Sequence, residues 1–445
     1  MRVAIIGAGI SGLATAFYLQ RHLPDAELTV FDAAPRPGGA LETVVVEGFR
    51  FEAAANGFLS NKPEFLELVD DSRARDILMP SSDLARKRFI YTDRLLRLPE
   101  SPGAFLRTPL LSMAQKLRVL GEVLVPARRD GPDESLRQFG DRRLGRGFTD
   151  VFLDAMCAGI YGTTPEKVSV RAAFPLVAAL EREHGGLFRG MLAKRRSSGG
   201  PGGKLMSFRA GVGTFVDHLA ARIDAEWRLG EPVRAITRSG ERYLVVTEHG
   251  DTGHDRVVLA APSYAAAGML RALDPQLGAM LDQIAYSPIA VVGFGYRNDV
   301  HPLDGFGLLT TSASRVPVLG ILWDSSIFPD RAPAGARSVR VMIGGQRRPE
   351  LVDQDRAGLL ATAREGLATT LGLDREPDVV YVKRWERGIP SYAPGHVERV
   401  DAIMQRAARW PGLYLNNNAY RGVAMTDCAR NAQRVARELA TAAGG

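Results

Sequence analysis

The chain opens on an unbroken apolar run, Val3-Ala4-Ile5-Ile6. Such a run suits a strand buried on both faces. Gly7-Ala8-Gly9-Ile10-Ser11-Gly12 follows, and residues 13–21 then repeat with helical period. Residues 28–31 are apolar again and stop at Asp32. The pattern changes after Pro102, where residues 102–193 read as mostly helical. Within them Leu106, Leu110, Met113, Leu117, Leu120 and Leu124 recur at spacings of four and three. That spacing predicts one amphipathic helix facing the core. Arg107, Lys116, Arg118, Arg128 and Arg129 flank the stripe, a pattern that also suits contact with a membrane surface.

Residues 194–204 are rich in Gly, Ser and charge and read as a flexible loop or linker. Beyond them residues 213–223 predict a helix. Residues 233–237, 243–247 and 256–260 predict a β-meander, its turns carrying Ser239-Gly240 and Gly250-Asp251. Strand-like runs follow at 291–296, 306–309, 318–323 and 339–343. Residues 356–371 predict a helix, 413–415 a short buried strand, and 426–440 the last helix.

Composition narrows the classes. At 445 residues the chain exceeds one hydrophobic core, so two or three domains are expected. With 45% apolar and 24% charged residues it reads as an ordinary globular protein, which excludes disordered, collagen-like and coiled-coil chains. Two cysteines, Cys157 and Cys428, exclude a disulfide scaffold and a cysteine-ligated metal site. The net charge of +7 weakly favours anionic ligands or an anionic membrane surface. No stretch reaches the roughly 18 uninterrupted apolar residues of a spanning helix. The N-terminus runs straight into a strand and glycine turn instead of a signal peptide, so a cytoplasmic location is expected.

The first thirty-two residues carry the main chemical signal. Gly7 permits a tight turn, Gly9 lets a pyrophosphate approach the backbone, and Gly12 lets helix and strand pack closely. Phosphates then meet the free N–H groups and dipole of a helix N-terminus. Asp32 stands twenty residues past Gly12, placed to accept from ribose hydroxyls. Strand, turn, helix, strand and acid in register point to a dinucleotide. Arg36-Pro37-Gly38-Gly39, just after that acid, suits a flavin dinucleotide, with Arg36 as charge partner for the diphosphate.

No second nucleotide site is present: Asn298 holds the third glycine position after Gly293-Phe294-Gly295, and Gly203-Lys204 lacks the features of a P-loop. One site implies FAD without a resident nicotinamide, and electrons that leave to oxygen or another diffusible acceptor. Residues 418–425 precede the last helix, whose N-terminus would stabilise charge on a flavin pyrimidine ring.

Seven histidines show no paired-ligand spacing, so no metal is expected. There is no GxSxG elbow, and Cys157 and Cys428 read as small packed residues. No nucleic-acid motif is present. The chemistry must come mainly from the cofactor.

At this point the chain resembles the oxygen-dependent protoporphyrinogen oxidases, within the wider flavin amine oxidases. The shared residues include Gly7–Gly12, Phe51-Glu52 and 86–91, then 133–136, 159–162 and 169–175. They continue through 304–307, 388–390, 395–399 and 418–422. The resemblance implies an α/β (α+β, multi-domain) chain: an FAD-binding Rossmann-like domain, a mixed-sheet substrate domain and a helical, membrane-associating domain. It implies that residues 1–62, 204–261 and 385–445 form the FAD domain, 63–101 and 262–384 the substrate domain, and 102–203 the helical domain.

It further implies non-covalent FAD, a tetrapyrrole substrate, oxygen as acceptor and hydrogen peroxide as by-product, in haem biosynthesis. A second copy of the chain and the inner face of the cell membrane are the further partners it implies. The expected cofactor-binding residues are Gly7, Ala8, Gly9, Ile10, Ser11, Gly12, Asp32, Ala33, Arg36, Gly38, Gly39, Ala40, Asn56, Gly57, Val233, Asn418, Val423, Ala424 and Met425. The expected substrate-binding residues are Arg88, Gly307, Leu309 and Met342, with Arg88 holding a propionate.

This chain departs from the family at three places. Asp32 replaces a glutamate, Ala54-Ala55-Asn56 stands where Gly-Pro and a polar residue are usual, and Asn417 replaces a glycine. Asn417 is expected to tolerate left-handed angles. The alternatives are coproporphyrinogen as substrate, an amine or carotenoid oxidase, and a non-catalytic FAD- or porphyrin-binding protein.

Overall fold

A computed structural model describes residues 1–128, 130–197 and 203–444, the side chains of 194–197 and 444 aside. Residues 198–202 of the expected linker at 194–204, and Arg129, lie outside the described residues. Its first part closes the helix Leu187–Ser197.

Strand β1 (Arg2–Ile6) is buried at four of its five positions, which is why it carries no polar alternation. It is the centre of a five-stranded parallel sheet. β2 (Glu27–Asp32) flanks it on one side, with Glu226–Leu229 outside. Arg256–Leu259 and then Leu413–Leu415 flank it on the other. Helix α1 (Ile10–His22), the helix Val212–Ala220 and the final helix Met425–Gly444 cover one face over Val3, Ile5, Val30 and Val258. The second face packs through Ala4, Ile6, Phe31 and Val257 against the helices Ser263–Leu270, Pro275–Asp282 and His396–Ala407.

The expected meander needs one correction. Its third strand is Gly250–His254, while Arg256–Leu259 joins the parallel sheet beside β1. Val257 and Val258 are fully buried on opposite faces, which a central strand requires and a meander edge does not.

A second, seven-stranded sheet is mixed. Its order is Val379–Pro390, Tyr286–Tyr296, Arg337–Gly344, Gly320–Leu322, Gly307–Thr310, Arg88–Tyr91 and Leu95–Arg97. The pair Gly307–Thr310 with Arg88–Tyr91 is parallel, and every other neighbouring pair is antiparallel. The twelve-residue strand Val379–Pro390 was missed in the sequence reading. Lys383, Arg384, Glu386 and Arg387 interrupt its apolar positions, as an edge strand allows.

The single amphipathic helix expected across Leu106–Leu124 does not form. Its residues divide among the helices Pro102–Arg107 and Met113–Leu120 and a 3₁₀ turn, Gly121–Leu124. Pro109 forces the break, because the residue before a proline is pushed out of helical angles, and Thr108 has ψ 138°. The stripe then loses its common face. Leu110 is buried, whereas Met113, Leu117 and Leu124 are 62%, 63% and 83% exposed.

A buried ion cluster holds this helical region instead. Arg143 and Glu122 are both fully buried and paired. Glu122 also accepts from the Leu187 and Phe188 N–H groups at 2.8 and 3.3 Å. Arg142 spans Glu134 at 2.6 Å and Glu181 at 2.7 Å. Removing one partner of such a pair leaves an uncompensated buried charge. Glu122→Ala should therefore lower the unfolding free energy by about 3–5 kcal/mol, read from urea melts, whereas a surface change such as Glu183→Ala should fall within about 0.5 kcal/mol.

Candidate functional site

The glycine-rich turn is assembled by contacts that exclude side chains. Gly7 has φ +106°, and a Cβ on Gly12 would stand 1.9 Å from the Gly7 carbonyl oxygen. Gly9 differs: it has φ −70° and open space where a Cβ would lie. It caps α1, whose first N–H groups lack intrahelical acceptors. That opening, beside free donors and the positive end of a helix dipole, fits a dinucleotide diphosphate.

Asp32 accepts from the Ala8 N–H at 2.6 Å and the Ala34 N–H at 2.8 Å. A carboxylate has about four acceptor sites, so capacity remains for ribose hydroxyls. Gly38 donates to the Ala8 carbonyl at 2.7 Å and bridges to Gly9, which brings the Arg36–Gly39 segment across the turn. Ala33 and Ala40 are exposed on its rim. Arg36 is tied to its own loop: it pairs with Glu42 at 2.8 Å and donates to the Pro37 and Gly39 carbonyls. Val233 is buried two residues before the strand Ala235–Ser239.

The loop 418–422 approaches the same turn through the final helix, which packs on α1. Tyr392, missed in the sequence reading, pins it: its hydroxyl donates to the Asn418 carbonyl and accepts from the Gly422 N–H, each at 2.7 Å. Tyr392 is buried, its phenol pushed well above the usual value by desolvation, and its ring stacks on His396 at 4.0 Å. Burial pushes His396 down to about 4, so it is neutral and donates from Nε2 to the Tyr420 carbonyl at 3.1 Å. Tyr420 itself lies buried in the core beneath the loop. Val423 and Met425 are packed and Ala424 is exposed. Asn417 has no left-handed backbone. Its side chain instead donates to the Ala260 carbonyl at 2.9 Å and accepts from the Ala419 N–H at 3.0 Å. Ala54 and Ala55 also avoid positive φ, so these departures from glycine cost no strain.

The mixed sheet supplies the other wall. Residues directly opposite one another in a sheet share a face. Register therefore aligns Ile90, Leu309, Gly320, Met342, Val291 and Lys383 in one row. Gly307 lies on the same face one step along, paired with Arg88. The helix Asp154–Tyr161 covers one side of the row: a Cβ on Gly159 would meet Leu309 at 2.8 Å. The hairpin of β3 (Thr43–Val46) and β4 (Phe49–Glu52) covers the other, with Phe51 against Gly293 and Phe49 against Gly295. Arg88 is exposed, its guanidinium 5.0 Å from the Phe306 ring centroid, and among the described residues it has no carboxylate partner.

Arg340 joins these parts and was also missed; a charge alone inside an apolar strand was the available signal. It is buried and pairs with Asp324 at 2.7 Å. It donates to the Ala54 carbonyl at 3.0 Å and also to the Glu52 carbonyl and Asn56 Oδ1. Asn56 is thereby held at the edge of the sheet, and Gly57 follows it beneath Met206. Both cysteines are buried, which raises their thiols and leaves them packed and protonated. No group of three or more metal-ligating side chains occurs among the described residues. An arginine-lined groove of about 590 Å³ runs along the final helix, and none of the predicted site residues lines it.

Comparison with known proteins identifies the class. The flavin containing amine oxidoreductase profile matches residues 10–440, so the chain belongs to that family, and its cofactor is FAD. It is 28% identical to a coproporphyrinogen III oxidase of Bacillus subtilis, over 96% of this chain and 95% of that one. It is 29% identical to a chloroplastic protoporphyrinogen oxidase of Oryza sativa, over 98% of this chain and 87% of that one. A solved structure from Exiguobacterium assigned as a protoporphyrinogen oxidase superposes with TM-score 0.87 and 26% identity, covering 99% and 98% of the two chains. A cyclohexylamine oxidase from Brevibacterium oxydans shares the fold, with TM-score 0.74 and 16% identity over 100% and 99% of the two chains.

The contrast between two glycines gives a test. Gly9→Ala meets no atom and needs no unusual angle, so the protein should fold with an unchanged melting temperature when stripped of flavin. Its FAD dissociation constant should nevertheless rise by about tenfold or more, because the added methyl stands where the diphosphate approaches. Flavin fluorescence titration reads the difference; equal FAD affinity would remove Gly9 from the site.

Proposed function

We propose that the chain is an FAD-dependent oxidase that converts a porphyrinogen into the corresponding porphyrin. The fuller reading is protoporphyrinogen IX to protoporphyrin IX, in haem biosynthesis. In that reading FAD is held non-covalently by residues 1–62, 204–261 and 385–445. Residues 63–101 and 262–384 receive the substrate, and 102–203 shield it. The flavin, when bound, would supply an acceptor for a hydride. In each of three rounds the substrate would lose one hydride and one proton, and the electron pair with two protons would pass to one dioxygen molecule, so that six hydrogens and three dioxygen molecules leave as three hydrogen peroxides.

The observation that carries this reading is the row Ile90, Leu309, Gly320, Met342 and Val291. These five positions of the row are apolar and carry no titratable group, Lys383 standing beyond Val291 on the edge strand; they lie between two covers and have Arg88 beside one end. A porphyrinogen is an electron-rich disc with carboxylate arms. It needs an apolar slot, a cation at the mouth and a positioned flavin, and no strong protein base. Gly307 and Gly320 keep the floor low, Leu309 and Met342 flank the disc, and Arg88 holds a propionate. Tyr392 and His396 fix the 418–422 loop, and with it the start of the final helix that would face the flavin.

The test is turnover. The purified yellow protein is given protoporphyrinogen or coproporphyrinogen in air, and porphyrin fluorescence is followed against autoxidation. Faster fluorescence with one molar equivalent of peroxide per electron pair supports the reading. Bound flavin without acceleration of either substrate overturns it.

The exposed Met113, Leu117 and Leu124 lie in the region read as membrane-associating. No helix among the described residues is long and apolar enough to cross a membrane. We therefore assign this face to the surface of a bilayer, at the cytoplasmic side. The wild type should co-sediment with anionic vesicles, and the Leu117→Glu/Leu124→Glu double variant should stay in the supernatant with its turnover of dispersed substrate intact. Equal sedimentation of the two proteins would exclude this face.

A further inference from the structure

Four charges meet at the start of the final helix. Asp427, in its first turn, pairs with Arg430 at 2.8 Å and with Lys62 at 3.5 Å. Arg430 also reaches Glu64, at 3.6 Å. Two cations thus face two carboxylates, and the cluster is balanced. Lys62 and Glu64 stand at the start of the helix Pro63–Asp71, a few residues beyond Asn56 and Gly57.

Asp427 differs from the other three. Its side chain is 12% exposed, against 42%, 45% and 23% for Lys62, Arg430 and Glu64, so salt and water screen it least. It also turns back onto the start of its own helix. Oδ2 accepts from the Ala424 N–H at 3.3 Å, as an acid in the first turn does when it caps a helix. Gly422 leaves it room: at φ +96°, a Cβ there would stand 2.4 Å from the Asp427 Cβ. Met425 and Ala429 pack in one cluster with Ala8 and Leu13, so the helix start stands beside the glycine-rich turn.

Capping alone does not need a charge, because an asparagine oxygen accepts the same N–H. What the carboxylate adds is a negative potential at a helix end that is otherwise positive. Reduction of a flavin places negative charge on its pyrimidine ring, and a helix N-terminus facing that ring stabilises the charge. A carboxylate in the first turn opposes this stabilisation, and a cation paired with it offsets the opposition.

We propose that Asp427 tunes the cofactor: its carboxylate counters the positive helix end and holds the reduction potential of FAD down, with Lys62 as counterweight. A lower potential makes transfer of the electron pair to oxygen more favourable. This rests on the reading above in one respect, that the start of the final helix faces the flavin, and not on the identity of the substrate.

The FAD-loaded protein is reduced anaerobically beside a dye of known potential. Asp427→Asn keeps an oxygen for the Ala424 N–H and removes the charge. Its affinity for reduced relative to oxidised FAD should rise about tenfold, a potential about 30 mV more positive. Asp427→Glu should stay near the wild-type value. Lys62→Met should move the potential the other way, and by less, because Lys62 is the more exposed partner. A purely structural cap would lower the melting temperature of Asp427→Asn and leave the potential where it was. An unmoved potential in both variants, or shifts of the same sign, overturns the proposal. Where Asp427→Asn fails to retain FAD, the sign of the Lys62→Met shift decides. Ala424→Trp checks the placement separately, since Ala424 is exposed and its new ring would fill the space before the helix. A tenfold loss of FAD affinity there, with an unmoved potential in the charge variants, overturns the tuning and keeps the placement. Unchanged affinity with an unmoved potential overturns both. Neither readout uses a porphyrinogen, so an absence of turnover leaves the outcome standing.

Discussion

The arrangement depends on one buried guanidinium. Arg340 rises from the mixed sheet and is neutralised by Asp324, from the short helix that follows the strand Gly320–Leu322. Its remaining donors reach the chain leaving the hairpin, at Glu52, Ala54 and Asn56. Two bodies of the protein, one carrying the glycine-rich turn and one carrying the apolar row, are registered through this residue. A planar fork with five donors can bind a carboxylate and several carbonyls together, which an ammonium cannot. Breaking such a pair from one side costs about 3–5 kcal/mol, and here the loss would also release the segment beside the site.

A second constraint acts from the opposite side. Tyr392 accepts a backbone N–H and donates to a backbone carbonyl within one five-residue loop, closing it like a clasp. The Tyr392 carbonyl accepts from Ser169 N–H at 2.7 Å, in the helical region. The loop that precedes the final helix is thus referenced to the elements that cover the row. Neutral His396 behind it adds a contact to the Tyr420 carbonyl without placing a charge near the cofactor site.

The parts legible in the sequence were those written locally. The β1–turn–α1–β2 unit needs only neighbouring residues, and the helix at 356–371 matched its expected bounds. The last helix and most strands of the mixed sheet were likewise placed from their own periodicity. What escaped depends on partners distant in the chain. Arg340 and Asp324 are sixteen residues apart, and Arg340 reaches Glu52 across 288. The leucine stripe misled because its spacing runs through Pro109, and periodicity counts positions without noticing that the helix axis has turned. Arg88 shows why a single charge resists interpretation: it resembles ordinary surface until the sheet pairs it with Gly307.

The floor of the apolar row is shaped by subtraction. At Gly320 a Cβ would stand 2.7 Å from the Leu308 carbonyl oxygen and 2.8 Å from Leu309, and at Gly307 2.1 Å from the Ile321 carbonyl oxygen. Backbone of the neighbouring strand already occupies the space a side chain would need, so these two positions admit no side chain without moving the sheet. Arg88 is free of that restriction, because it is exposed. A protein made this way can change which carboxylates it greets at the rim while its floor and redox centre stay as they are. Divergence among such enzymes then becomes a matter of editing the margins of an inherited mould.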